Sequence, residues 1–340
     1  MSLNTRVKRK RELREVYIPQ DALIFQLPDE TLLAIFKYLT TVELIRAAGY
    51  VELVVCFFSS SMNIFADFPR ICKWFRNIAY DEEFWTTIDL TCKSCSNRVL
   101  SKFFTLFPRE CTEVLKISGG LHHSTSGKPP PFAGKLNSHI QAAYPNLRHL
   151  HISQYDFHGD QTTVDHLTCF SNNFQGIYLT KCDMLATNLP GSVAFFQIPA
   201  DFSANSSFQQ LEILSLENSS CITSESLSSL ARLCPKLTEL NLNGCYRLIH
   251  KSILVETLIF YSQTLRRLGL RATQINDDTI HSICRKLKRL TRFDIKQCRN
   301  VTVNIVDNLL TLKQLDKLNA NDNIQTLYEQ RKLNPSESDP

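Results

Sequence analysis

Three groups of residues have the types and spacing to do chemistry. Cys92-x-x-Cys95, with Cys111, His122 and His123 downstream, offers sulfur and imidazole ligands of the kind that hold zinc. A structural zinc site repeats such pairs at tight spacing, and the second pair is missing, so no metal is expected. His149 and His151 alternate with polar and apolar neighbours, so both rings project from one face of a strand, and we read them as exposed recognition residues rather than as general bases. Arg267, Arg271, Arg292, Lys296 and Lys317 form a cationic set. Guanidinium pairs with carboxylate and phosphate through two hydrogen bonds, so this set reads either as a dock for an acidic or phosphorylated segment or as a solvated face. The sequence has no P-loop, no G-x-G-x-x-G, no H-E-x-x-H and no G-x-S-x-G, so no enzyme and no cofactor are expected.

The elements that must carry these residues repeat. "LEILSL" at Leu211, "LTELNL" at Leu237, "LRRLGL" at Leu265, "LTRFDI" at Leu290 and "LDKLNA" at Leu315 share one template, L-x-x-L-x-L, at spacings of 26, 28, 25 and 25 residues. "WTTIDL" at Trp85, "TEVLKI" at Thr112, "LRHLHI" at Leu147 and "FQGIYL" at Phe174 extend the series upstream. Apolar residues at the fourth and sixth template positions alternate with polar ones, the mark of a short strand that buries one edge. A second apolar patch follows each template at helical spacing, as in "SILVETLIFYSQTL". One strand and one helix per ~25 residues cannot bury its own apolar edge, so successive units must stack.

In the last three units, template positions three, five and seven hold Arg267, Gly269, Arg271; Arg292, Asp294, Lys296; and Lys317, Asn319, Asn321. These positions point away from the core, so five cations face one anion. The ninth position holds Cys182, Cys245, Cys298 and, in the last unit, Asn323, where a small buried side chain fits. Cys234 and Cys284 also point inward by pattern, and we read these thiols as packing groups. The pattern resembles the cysteine-containing subclass of leucine-rich repeats. The resemblance implies an α/β solenoid of about nine repeats over 85–325, with parallel strands on the concave side and helices on the convex side. A polar tail is expected at 326–340.

Ahead of the repeats stands "LPDETLLAIFKYLTTVELIRAA". Proline with acids behind it starts a helix, and Leu32, Ile35, Phe36 and Leu39 then fall on one apolar stripe. Leu27-Pro28-Asp29, Ile35-Phe36, Leu39, Ala47-Ala48, Ile71-Cys72-Lys73-Trp74, Asp81-Glu82-Glu83 and Trp85 together resemble the F-box, assigned here to 21–84. The resemblance implies a substrate-recognition subunit of a Skp–cullin–F-box ubiquitin ligase. In that reading Leu27, Pro28, Leu32, Ile35, Phe36, Leu39, Leu44, Ile71 and Trp74 contact a Skp-type adaptor, and through it a cullin and a RING protein. The repeats would hold the protein substrate. The alternative is a leucine-rich-repeat scaffold without ubiquitin function.

The family's Ala-Ala and Ile-Cys blocks are nearly contiguous, whereas residues 49–69 separate them here. We read this stretch as an insertion, either a translated noncoding segment or a loop that packs its own aromatics. Its apolar run, Val51–Phe58, contains Glu52 and is far shorter than the ~20 residues of a membrane span. The first twenty residues are basic and polar, with Lys8-Arg9-Lys10-Arg11 at their centre, and read as a disordered tail without the apolar core of a secretory signal. Reduced thiols in cytoplasm or nucleus are therefore expected. A net charge of +5 without interleaved aromatics argues against a nucleic-acid face.

Overall fold

The computed structural model describes residues 27–41, 43, 44, 78–91, 96–119, 134–155, 174–182, 207–219, 227, 234–246, 248 and 250–334. The basic amino-terminal stretch, the insertion at 49–69, Cys92, Cys95, His122, His123, Ile71 and Trp74 lie outside these residues. The chain divides into two compact units, Met1–Trp85 and Thr86–Pro340.

In the first unit, α1 spans Asp29–Phe36. Pro28 stands at its N-cap, and its carbonyl accepts from Thr31 N (3.0 Å) and Leu32 N (3.2 Å). A proline lacks the N–H that a first turn would leave unpaired, and Asp29 and Glu30 complement the positive end of the helix dipole. Thr40 and Glu43 then form a capping box: Thr40 N donates to Glu43 Oε2 (2.8 Å) and Glu43 N donates to Thr40 Oγ1 (3.3 Å). The unit closes on a 3-10 turn at Glu82–Trp85. Trp85 is fully buried, and its indole Nε1 donates to Ala79 O at 2.8 Å.

The second unit is one parallel sheet of nine strands in sequence order. The strands are β1 Thr87–Asp89, β2 Val114–Ser118, β3 His149–Ser153, β4 Gly176–Thr180, β5 Ile213–Ser215, β6 Glu239–Asn241, β7 Arg267–Gly269, β8 Arg292–Asp294 and β9 Lys317–Asn319. Every one of the nine templates supplies a strand. The register holds each template position beside its own counterpart. The fourth position runs Ile88, Leu115, Leu150, Ile177, Leu214, Leu240, Leu268, Phe293, Leu318 across the sheet, and all nine side chains are buried. Burying each such side chain contributes roughly 1.5–3 kcal/mol, which is why a strand of three residues persists when stacked and not alone.

Between strands the chain crosses through helices α2 Asn97–Leu106, α3 Gly134–Ala143, α4 Lys251–Phe260, α5 Asp277–Lys286 and α6 Val306–Leu310. Ser96 caps α2 by accepting from Val99 N, and Asn276 caps α5 by accepting from Thr279 N. Aromatic packing anchors the early crossovers: Phe103 stacks on Phe107, and Phe104 meets Tyr144 edge-on.

Two backbone devices recur at the strand exits. The eighth template position is left-handed at Gln154, Lys181, Asn218, Gly244, Ala272 and Gln297. Each of the first five donates its N–H to a carbonyl of the next unit, as Gly244 N does to Arg271 O at 2.7 Å. The ninth position then turns inward. Cys182 Sγ donates to Ile152 O (3.5 Å), Ser219 Oγ to Leu179 O (3.1 Å), Cys245 Sγ to Leu216 O (3.1 Å) and Cys298 Sγ to Leu270 O (3.1 Å). Each acceptor belongs to the unit before, so a thiol or hydroxyl ties neighbouring units as well as filling space. Burial pushes the Cys245 and Cys284 thiols up to about 12, which leaves them protonated and unreactive. Among the described residues the cysteines are free thiols.

The last unit departs from the pattern. Asn323 is exposed rather than turned inward, because helix α7, Asp322–Leu333, begins at this point. The helix runs into the stretch read as a polar tail and buries Ile324 and Tyr328. Its Lys332 Nζ donates to Leu315 O at 3.2 Å.

Candidate functional site

Two surfaces are left over once the cores are assembled: one on α1 and its following turn, the other on the open face of the sheet.

The apolar stripe on α1 is divided. Leu32, Phe36 and Leu44 are buried within the first unit, Phe36 against Phe84 with ring centroids 6.3 Å apart. Leu27 and Leu39 are half-buried, and Pro28 is exposed. Ile35 is 43% exposed and Tyr38, one turn on, is 91% exposed. Lys37 pairs with Glu83 at 2.7 Å on the same unit. The sequence reading overlooked Tyr38. Its spacing of three from Ile35 was the available signal, since residues three apart share a helix face.

On the sheet, the third template position runs Thr87, Val114, His149, Gly176, Ile213, Glu239, Arg267, Arg292, Lys317 in register. The fifth runs Asp89, Lys116, His151, Tyr178, Ser215, Asn241, Gly269, Asp294, Asn319. Three zones result.

The first zone, on β1–β4, is aromatic and polar. His151 stacks on Tyr178 with centroids 3.9 Å apart and planes 2° apart. His149 leans over Gly176, where a Cβ would lie 2.5 Å from its Nδ1. Only glycine leaves room for that ring. Both histidines are half-buried, not exposed as the alternation suggested, because Tyr178 and the bare backbone of Gly176 give them surfaces to lie on. Burial first, and Lys116 second, hold the His151 imidazole down at about 4, so it is neutral. Lys116 itself pairs with Asp89 at 3.3 Å. Thr91 donors and Lys116 together outweigh the effect of burial and hold the Asp89 carboxyl below its ordinary range.

The second zone, on β5–β7, is ion-paired. Arg267 Nη1 lies 2.8 Å from Glu239 Oε2, and Arg271 Nη2 lies 3.9 Å from Glu217 Oε1. Two of the five cations are thus matched by acids from neighbouring strands. Asparagines order the backbone here: Asn243 Oδ1 accepts from Arg271 N at 2.8 Å and lies over Gly269.

The third zone, on β8–β9, carries the remaining cations. Arg292 and Lys317 are exposed in-register neighbours and have no ion-pair partner among the described residues. Lys296 is partly exposed, with Nζ 3.9 Å from Asp322 Oδ1. The Asp294 Oδ1 accepts from Lys296 N at 3.1 Å.

Among the described residues no helix is long and apolar enough to cross a membrane. No group of three or more histidine, cysteine or acidic side chains is placed to hold a metal ion.

Comparison with known proteins assigns the first unit. Residues 24–91 match the F-box-like family model. No curated protein matches the chain. Among solved structures, the crystal structure of Rad7 with Elc1 from yeast is similar at 15% identity and a TM-score of 0.46, covering 68% of this chain and 57% of that one. A protein from Bacteroides fragilis is similar at 16% identity and a TM-score of 0.40, covering 68% of this chain and 64% of that one. The chain spans less than two thirds of the length of either. It therefore carries an F-box-like domain and a leucine-rich-repeat-like sheet of nine parallel strands.

Proposed function

We propose that this chain is the substrate-recognition subunit of a Skp–cullin–F-box ubiquitin ligase and performs no bond chemistry itself. The observation that carries the reading is the joining, in one chain, of an F-box-like segment with a repeat sheet whose open face is polar and charged. The F-box-like unit docks a Skp-type adaptor, which brings a cullin and a RING protein. The sheet holds the protein substrate, so that a substrate lysine stays at high local concentration beside the activated ubiquitin.

Leu32, Phe36 and Leu44 hold the first unit together, so the adaptor contacts fall to the outward side: Pro28, Ile35, Tyr38 and the partly exposed Leu27 and Leu39. A buried apolar anchor in an interface is worth roughly 1.5–3 kcal/mol, so a few suffice to hold a complex. The test is co-precipitation of a Skp-type adaptor with the full chain. Ile35→Asp combined with Tyr38→Asp should abolish capture without lowering the melting temperature of the chain. Leu32→Ala should instead destabilise the first unit by about 2–5 kcal/mol. Full capture by the double aspartate variant sinks the docking face. An unsubstituted chain that captures no adaptor sinks the ligase reading and leaves a repeat scaffold.

A further inference from the structure

We infer that the open face of β8–β9 is the docking site for an acidic peptide segment of the substrate, whose carboxylates sit on Arg292 and Lys317. The inference deepens the receptor reading and rests on it for the identity of the segment as substrate.

The register makes the argument. Arg292 and Lys317 stand side by side on adjacent strands, about 4.8 Å apart along the sheet. Both side chains are exposed, and neither has an acid against it among the described residues. The same row one and two strands earlier presents Arg267 and Glu239, already joined at 2.8 Å. Arg271 is likewise turned toward Glu217. The sheet therefore neutralises its own cations on β5–β7 and leaves them uncompensated on β8–β9. The acids at Glu217 and Glu239 also repel an acidic segment from the middle of the sheet, which fixes the end at which it lies.

The nearby acids do not cancel this end. Asp294 has one oxygen engaged by the backbone N–H of Lys296. Asp322 is 99% exposed in its side chain and stands 3.9 Å from Lys296 Nζ, a loose contact that water screens. Positions three, five and seven of β7–β9 hold no aromatic side chain on which a base would stack, so the cations do not form a nucleic-acid platform. Two long cations on neighbouring strands match carboxylates at alternate positions of an extended chain. The guanidinium of Arg292 provides a two-pronged carboxylate contact and the ammonium of Lys317 a mobile one.

The probe is a fluorescent peptide with glutamates at alternate positions in a glycine–serine context, titrated with the full chain and read by anisotropy. It should bind about tenfold or more tightly than its glutamine counterpart, and the difference should shrink as salt rises from roughly 0.05 M to 0.3 M. Arg292→Glu with Lys317→Glu should abolish binding, and Arg292→Gln with Lys317→Gln should weaken it while the melting temperature stays unchanged. Glu239→Gln, which releases Arg267, should tighten it. Equal binding of the glutamine peptide, or undiminished binding by both double variants, overturns the assignment. So does a phosphoserine peptide that binds when the glutamate peptide does not, or a single-stranded oligonucleotide that displaces the peptide at lower concentration. Adaptor capture plays no part in the measurement, so the failure of either reading is visible without the other.

Discussion

Arg267 on β7 and Glu239 on β6 are in-register neighbours whose charged atoms meet at 2.8 Å, while the next residue in the same row, Arg292, meets no acid among the described residues. The pair is half-exposed, so its mutual attraction is screened and is worth about 0.2–1 kcal/mol. A double-mutant cycle of Arg267→Ala and Glu239→Ala, read by urea denaturation, should give a coupling of that size that fades with added salt. A cycle of Arg292→Ala with Glu239→Ala should give none. Coupling between Glu239 and Arg292 equal to that of Glu239 and Arg267 would mean that the charges are not partitioned between the two zones.

The neutral His151 gives the opposite end of the sheet a pH dependence. Its imidazole is held down to about 4 by burial, with Lys116 and His149 adding to the effect and Asp89 opposing it. The folded state thus binds the proton less well than the unfolded chain does. The stability due to this group is complete above the ordinary histidine value of 6.5 and is lost as pH falls through 4. His149, lowered chiefly by burial, adds a smaller slope of the same sign. His151→Phe keeps a ring against Tyr178 and removes the titration. Its melting temperature should vary less than that of the parent between pH 6.5 and 4. Identical pH profiles for the two chains would count against the buried, neutral stack.

The repeat was legible in the sequence because its cause is periodic. Leucines at template positions one, four and six recur at near-constant spacing, and burial of an edge demands that recurrence. Aligning the templates also sets the lateral rows, so Arg267, Arg292 and Lys317 could be placed together before any coordinates. The partners in those rows were harder to read. Glu239 and Arg267 are 28 residues apart, and whether two such chains meet depends on side-chain conformations that the template does not encode. The α1 stripe failed for a geometric reason. Leu32 and Phe36 are separated by one turn and share the buried line, whereas Ile35 is rotated by about 60° from Leu32 and reaches the surface. Four apolar residues at helical spacing therefore did not imply four equivalent positions. Asn323 was misplaced because the ninth-position rule needs a following unit, and the chain starts α7 there instead.

Gly244 is the one place where the recurring left-handed exit demands glycine. Its φ is 71°, and a Cβ there would lie 2.1 Å from Asn218 Oδ1 and 3.3 Å from Asn218 Cα. Its neighbour at the same template position, Ala272, has φ 55° and carries a side chain without such a contact. Two costs are thus separable. An alanine in the left-handed region costs roughly 1–2 kcal/mol wherever it stands. At Gly244 the clash adds to it, because Asn218 N is tied to Asn243 O at 2.7 Å and the backbone has little room to yield. Gly244→Ala should therefore destabilise the second unit by about 2–3 kcal/mol. Ala272→Gly should change stability by less than about 0.5 kcal/mol, as relief of strain offsets the greater freedom of the unfolded chain. Asn218→Gly in the Gly244→Ala background should recover the clash and leave only the backbone cost. Urea denaturation of the three variants measures each contribution. A Gly244→Ala chain as stable as its parent would show that the strand exit adjusts freely, and with it the ladder of N–H bonds from Gln154 to Ala272 would lose its role in fixing the register.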